Sequence, residues 1–144
     1  MIPARVEGQA EEVRWSFSTR ELRRFRVPTE ADMQLVVLES DEVTTLDKQS
    51  NRPDFLTVRI EYVPGDWLLG SRSLRCYFQA LRDHGTSVEG LAAMIASDVD
   101  AAIQPARLMV TVIERPRGGI AITAVAGPHR GTDEDPYEEW ARCH

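Results

Sequence analysis

The nine residues Phe55-Leu56-Thr57-Val58-Arg59-Ile60-Glu61-Tyr62-Val63 constrain the fold more than any other part of the chain. Leu56, Val58, Ile60 and Tyr62 alternate with Thr57, Arg59 and Glu61, the two-residue period of a β-strand. Four apolar side chains therefore share one face, and polar side chains share the other. The apolar face has to be buried against a second layer, while the polar face tolerates water, as in one-sided antiparallel sheets. Pro64-Gly65 breaks the strand.

Two helical patterns supply the covering layer. In residues 71–85 Leu74, Tyr77, Phe78 and Leu81 recur at i, i+3, i+4 and i+7, and Gly85 is a natural C-terminal stop. In residues 86–103 Leu91, Ile95, Val99 and Ile103 form a second stripe. Strands are expected over 34–43, 107–115 and 119–126, the last two separated by a turn around Pro116-Arg117-Gly118. The order β-β-α-α-β-β is an α+β arrangement, with an antiparallel sheet carrying both helices on one face. Residues 1–24 read as an arm, helical around Ser18–Phe25 with Ser18 or Thr19 as cap. Residues 25–130 are the core domain, and the acidic stretch 131–144 is a tail or partner-docking segment. The other face of the sheet and its edges would need covering, and oligomerisation could supply that cover.

The 144 residues fit one domain, and a net charge of −6 excludes a general nucleic-acid binder. No apolar run approaches the roughly 20 residues of a membrane helix. The N-terminus has no apolar signal-peptide core, so the expected location is cytoplasmic. Cys76 and Cys143 form no disulfide framework. Together with His84, His129 and His144 they show no zinc-ligand spacing, so no metal is expected.

Four segments in fixed order carry a resemblance. Arg52-Pro53-Asp54-Phe55, the stretch 62–77 (YVPGDWLLGSRSLRCY), Leu81-Arg82-Asp83-His84-Gly85, and Arg115-Pro116-Arg117-Gly118-Gly119-Ile120 resemble the 7-cyano-7-deazaguanine reductases of queuosine biosynthesis. These are nitrile reductases of the tunnelling-fold (T-fold) superfamily, and the likeness runs from about residue 34 to about residue 126. It implies a T-fold subunit in a ring barrel, a pentamer or a decamer of two stacked rings, with active sites between subunits.

In that family a Cys-Pro-x-Thr segment precedes Pro-Asp-Phe, and its Cys attacks the nitrile to give a thioimide. Aligning Pro53-Asp54-Phe55 puts Asp47 at the Cys position. A carboxylate is a far weaker carbon nucleophile than a thiolate, so the family's covalent route is closed. The family's acid matches Asp54. A Glu-Ser-Lys-Ser segment that holds substrate matches Gly70-Ser71-Arg72-Ser73, without its Glu. A His-Glu pair that grips the guanine-like edge matches Val88-Glu89, without its His. The family's cofactor-binding cations match Arg72, Arg75 and Arg117.

Each position also has a bland reading. Thr86-Ser87-Val88-Glu89 fits a capping box in which Glu89 bonds back to its own helix. Alternatively, one Glu89 carboxylate can pair two N–H donors of a 2-aminopyrimidinone edge. Asp47 and Asp54 can be simple turn residues. As a pair across a pocket they would push one pKa upward and supply an acid and a base. The three arginines can be solvated, or they can form a phosphate site for NADPH or a nucleotide. His84, before Gly85, suits a helix end, and Cys76 lies off the apolar stripe.

The leading functional expectation is an enzyme that binds a guanine-like ring (purine, deazapurine or pterin) or its nucleotide. Glu89, Ser71, Gly70 and Val88 would line the substrate, and Asp54 with Asp47 would perform acid–base chemistry, with no cofactor expected. One alternative is a catalytically degenerate heterocycle-binding or scaffolding protein. Another is an NADPH-dependent reductase without covalent catalysis, supported by the cation trio. No nucleic-acid or membrane partner is expected.

Overall fold

The computed structural model describes residues 5–6, 21–30, 32–47, 49–128 and 142. The tail read over 131–144, with His129 and His144, lies outside these residues except for Arg142. Four long strands form one antiparallel sheet: β3 (Val36–Asp47), β4 (Arg52–Val63), β6 (Arg107–Arg117) and β7 (Ile120–Ala126), in the spatial order β3-β4-β6-β7. A second, small sheet joins β1 (Arg5–Val6), β2 (Arg23–Arg26) and β5 (Trp67–Leu69). Two helices, α1 (Ser71–Gln79) and α2 (Val88–Ile103), connect β5 to β6.

The two-residue period of β4 decides which face is covered. Leu56, Val58, Ile60 and Tyr62 are buried, and the intervening residues are only half-covered. Val110 and Val112 of β6 continue this face beside Ile60 and Val58, with which they are paired in register. From α2, Leu91, Ile95, Val99 and Ile103 close over it, and from α1 Leu74 and Tyr77 do the same. The result is the expected α+β layering, with the helices and the apolar sheet face in one core.

The structure departs from the sequence reading in three places. Arg23–Arg26 is a strand, not part of a helix around Ser18–Phe25; residues 18–20 lie outside the described part. It pairs antiparallel with β5, which sequence reading also missed, and the Trp67 ring lies against Arg24 and Arg26, with guanidinium carbons 4.0 and 4.6 Å from its centroid. Strands of three or four residues carry too short a pattern to show a period. The Tyr62 hydroxyl accepts a hydrogen bond from the Leu69 amide at 3.0 Å and ties the small sheet to the large one.

The third departure is the end of α1, at Gln79 instead of near Gly85. Leu81, Arg82 and His84 donate their amides to carbonyls three residues back, so the chain tightens into successive turns. The His84 carbonyl then accepts the Leu46 amide at 3.0 Å, docking these turns on β3. Leu81 stays buried, so its place in the apolar stripe survives the loss of helix.

Within the core, the fully buried Tyr77 donates its hydroxyl to Asp98 Oδ2 at 2.7 Å, linking α1 to α2. Tyr77→Phe should cost about 2 kcal/mol, because Asp98 is left buried without that donor. Urea unfolding of the two proteins measures this difference directly.

Candidate functional site

Two β-bulges determine what faces the helix side at one end of the large sheet. On β3, Ser40 pairs with Val58 but Val43 pairs with Leu56, so β3 carries one extra residue. Before this bulge the even-numbered residues face the core; after it Val43, Thr45 and Asp47 do. Asp47, at the end of β3, therefore lies on the same face as Asp54, whose register partner is Thr45. On β6, Glu114 pairs with Ile122 but Arg117 pairs with Ile120, again one extra residue. That bulge lets both Glu114 and Arg117 reach the face on which Asp54 lies.

Arg117 is the centre of the resulting constellation. Its Nη1 is ion-paired with Asp54 Oδ1 and lies 3.4 Å from Asp47 Oδ2. Its Nη2 reaches the Ser50 hydroxyl at 3.5 Å. Asp47 also accepts the Gln49 amide at 3.0 Å and the Ser50 hydroxyl at 2.8 Å, so it shapes the turn between β3 and β4. These bonds, the Ser50 hydroxyl first and the Gln49 amide next, hold the Asp47 carboxyl below its ordinary value of 3.8, with the Arg117 charge adding a smaller push.

The expectation that the Asp47–Asp54 pair would raise the pKa of one member is therefore corrected at Asp47. A cation sits between the two carboxylates, and hydrogen-bond donors favour the Asp47 anion. The upward shift occurs instead at Glu114, which sequence reading missed. Burial pushes it above the usual 4.5, and the Asp54 charge and a hydrogen bond with Asp54 add to this. The Arg117 charge pulls the other way, and the Glu89 charge adds a final upward push. The available signal was parity: Glu114 follows Val110 and Val112 at two-residue spacing, a charged residue at the end of an apolar face.

Glu89 occupies the second position of α2 and is exposed. The capping box expected from Thr86 to Glu89 is not formed. Ser87 is the cap, its hydroxyl accepts the Gly90 amide at 3.0 Å, and the third helical position is Gly90. A Cβ on residue 90 would come within 2.7 Å of the Thr86 hydroxyl oxygen, so a glycine there keeps the cap compact. Glu89 is thus a carboxylate at a helix N-terminus, where the dipole favours negative charge.

The other sequence candidates lie elsewhere. Val88 is buried in the core. Gly70 is the cap of α1 and donates its amide to the Arg23 carbonyl at 2.8 Å; a Cβ there would sit 3.2 Å from that same oxygen. A side chain at this position would need the Arg23 carbonyl to give by a few tenths of an ångström. Ser71 and Arg75 line a groove of about 370 Å³ between α1 and β3, with Thr44, Phe78 and Arg82 among its walls. Arg72 is exposed on the same helix. The expected trio is divided: Arg117 is engaged by Asp54 and Asp47, and Arg75 faces the groove. Cys76 is half-buried on α1. Among the described residues no group of three or more His, Cys, Asp and Glu is placed to hold a metal ion, and no helix is long and apolar enough to cross a membrane.

Opposite signs of shift give opposite pH dependences. A lowered carboxyl such as Asp47 stabilises the fold above pH 3.8 and loses that contribution as pH falls through its native value. A raised carboxyl such as Glu114 contributes fully below pH 4.5 and loses its contribution as pH rises through its native value. Melting temperature against pH should therefore lose its acid limb partly in Ser50→Ala, and the opposing decline above pH 4.5 should flatten in Glu114→Gln.

Comparison with known proteins gives a consistent answer. The family model described as "QueF-like protein" matches residues 53–132. NADPH-dependent 7-cyano-7-deazaguanine reductases from Nitrobacter hamburgensis and Bradyrhizobium diazoefficiens are each 36% identical over 112 residues. These alignments cover 76% of this chain and 71% and 73% of theirs. The Frankia casuarinae reductase is 37% identical over 97 residues, covering 67% of this chain and 78% of its own. Among solved structures, an apo archaeosine synthase described as QueF-Like superposes with a TM-score of 0.62 at 25% identity, covering 67% of this chain and 94% of that one.

Proposed function

The chain belongs to the QueF-like protein family, and within it we propose an enzyme that binds a guanine-like heterocycle and performs acid–base chemistry on it without a thioimide. The observation that carries this reading is the state of Asp47. At the position of the family's nucleophile stands a carboxylate whose oxygens are taken by the Gln49 amide, the Ser50 hydroxyl and Arg117. Such a group neither attacks a nitrile nor stabilises a thioimide. The family's acid position is kept as Asp54, and the ring-gripping position as Glu89.

The roles follow from charge and exposure. Glu89 is exposed, is not used as a helix cap, and can accept two N–H donors from a 2-aminopyrimidinone edge, common to guanine, deazaguanine and pterin. Asp54 is positioned by Arg117 and moves protons at the bound ring, while Asp47 holds Arg117 and shapes the loop. No cofactor is required for such chemistry. NADPH, carried in the names of the reductase relatives, would have to be met by Arg75 in the groove beside β3 and by Arg72 on the same helix, without Arg117. The open edges β3 and β7 suit a ring of subunits, a pentamer or a pair of pentamers, that closes the sheet.

One observation favours a second reading. Because Arg117 is paired with Asp54, the family's acid is tied down, as a binding or scaffolding protein with no turnover would tolerate. Turnover assays with Asp54→Asn separate the two: loss of product supports the enzyme, and absence of product from the parent protein supports the binding module.

Thermal denaturation against guanine, 7-cyano-7-deazaguanine, a pterin and NADPH tests the ligand class. A ring at about 100 times its dissociation constant should add about 2.7 kcal/mol of stability. That gain should vanish in Glu89→Gln. No shift with any ring, or a shift indifferent to residue 89, contradicts the proposal.

A further inference from the structure

We infer that Glu114 is a further working residue of this site: a proton-bearing carboxyl that shares its proton with Asp54 and offers the bound ring a hydrogen-bond donor beside Glu89. The inference rests on the reading that a heterocycle occupies the neighbourhood of Asp54 and Glu89.

The sheet register brings Glu114 to this position. It lies on β6 directly across from Leu56 of β4 and Ile122 of β7, on the face covered by the helices. Behind it on the same strand is the fully buried Val112, and beside it Leu56 is nearly as deep. Asp54, two residues before Leu56 on β4, turns its side chain to the same face. Glu114 is thus the first polar group at the rim of an apolar floor, with a carboxylate as its neighbour.

Two carboxylates this close, one of them against an apolar floor, do not both ionise without cost, and the surroundings choose which keeps the proton. Arg117 is ion-paired with Asp54, so the cation of the cluster is directed at Asp54 and not at Glu114. No ion pair to Glu114 occurs among the described residues, so the proton falls to Glu114. The charged groups facing it are Asp54 from β4, Arg117 from the end of β6, and Glu89 from the start of α2; Asp47 of β3 acts through Arg117. Ile122, its partner from β7, is apolar. The upward shift of the Glu114 carboxyl has the same origin: burial first, then Asp54.

A protonated Glu114 supplies what the other carboxylates cannot. Glu89, Asp54 and Asp47 as anions only accept hydrogen bonds, whereas a carboxylic acid also donates one. A 2-aminopyrimidinone edge presents N–H donors next to a carbonyl acceptor. Glu89 suits the donors, and the Glu114 O–H suits the carbonyl. The shared proton also gives Asp54 a reservoir from which a protonated ring atom can be formed and to which the proton can return.

Carboxyl-carbon NMR of the full chain, with the Glu114 signal assigned by its loss in Glu114→Gln, tests the proton sharing without a ligand. Glu114 should titrate above the ordinary glutamate value of 4.5; its midpoint should fall in Asp54→Asn and rise in Arg117→Gln. A Glu114 that titrates at the ordinary value and ignores Asp54→Asn overturns the shared proton.

Binding of guanine and 7-cyano-7-deazaguanine across pH tests the donor. Wild-type affinity should weaken about tenfold, the worth of one hydrogen bond, as pH rises through the Glu114 midpoint. Glu114→Gln keeps an N–H donor and should bind with a flat profile, while Glu114→Leu should lose about tenfold at every pH. Equal affinity in Glu114→Leu overturns the donor role alone. Failure of the wild type to bind either ring overturns the functional reading and the donor role with it, whereas the titration still decides the shared proton.

Discussion

The burial of one face of β4 governs the rest of the molecule. Leu56, Val58, Ile60 and Tyr62 point to the same side because a strand repeats every two residues, and α2 and α1 cover them. The same period carries Asp54 to that side just beyond the last apolar residue. Val110 and Val112 on β6 repeat the arrangement, and Glu114 follows at the same spacing. The site is therefore the end of the core, where neighbouring strands pass together from apolar to acidic side chains. Its residues are extensions of strands whose register a slip would ruin.

Asp47 and Arg117 reach this rim by a different route. Each lies beyond a bulge that adds one residue to its strand, and without the extra residue the two-residue alternation would direct it to the opposite face. Once there, Arg117 joins the ends of three strands: Asp47 closes β3, Asp54 opens β4, and Arg117 itself closes β6. This clamp neutralises part of a cluster of four carboxylates: it pairs with Asp47 and Asp54 and leaves Glu114 and Glu89 outside the pairing. At position 47 this cation meets a carboxylate oxygen at 3.4 Å. With a carboxylate there, the cation serves the loop and the acid.

Much of this was legible in the sequence, and what was not has physical reasons. The alternation in β4 and the stripe of α2 run long enough for their periods to stand out, and both occur as read. The motif around Pro53-Asp54-Phe55 and the Arg117-Gly118-Gly119 turn meet at one end of the sheet, where Arg117 pairs with Asp54. The bulges were not legible, because an extra residue leaves no trace in composition and shows itself only against the partner strand. Hence Arg117 was grouped with Arg72 and Arg75 instead of with the two aspartates. Glu114 was hidden inside the strand expected over 107–115. Glu89 was ambiguous between a ligand group and a cap until the helix start fell at Ser87, one residue later than the box requires.

On the proposed reading the chain binds a guanine-like ring through Glu89 and Asp54, although the family's nucleophile, its Glu at position 70 and its His at position 88 are all replaced. Intact-protein mass spectrometry after incubation with 7-cyano-7-deazaguanine tests it most directly, with the wild type beside an Asp47→Cys variant. The account predicts no covalent species on the wild type, and on the variant a single adduct of the ligand's mass that disappears when Glu89→Gln is added. An adduct on the wild type, or a folded Asp47→Cys protein that forms none, would contradict it.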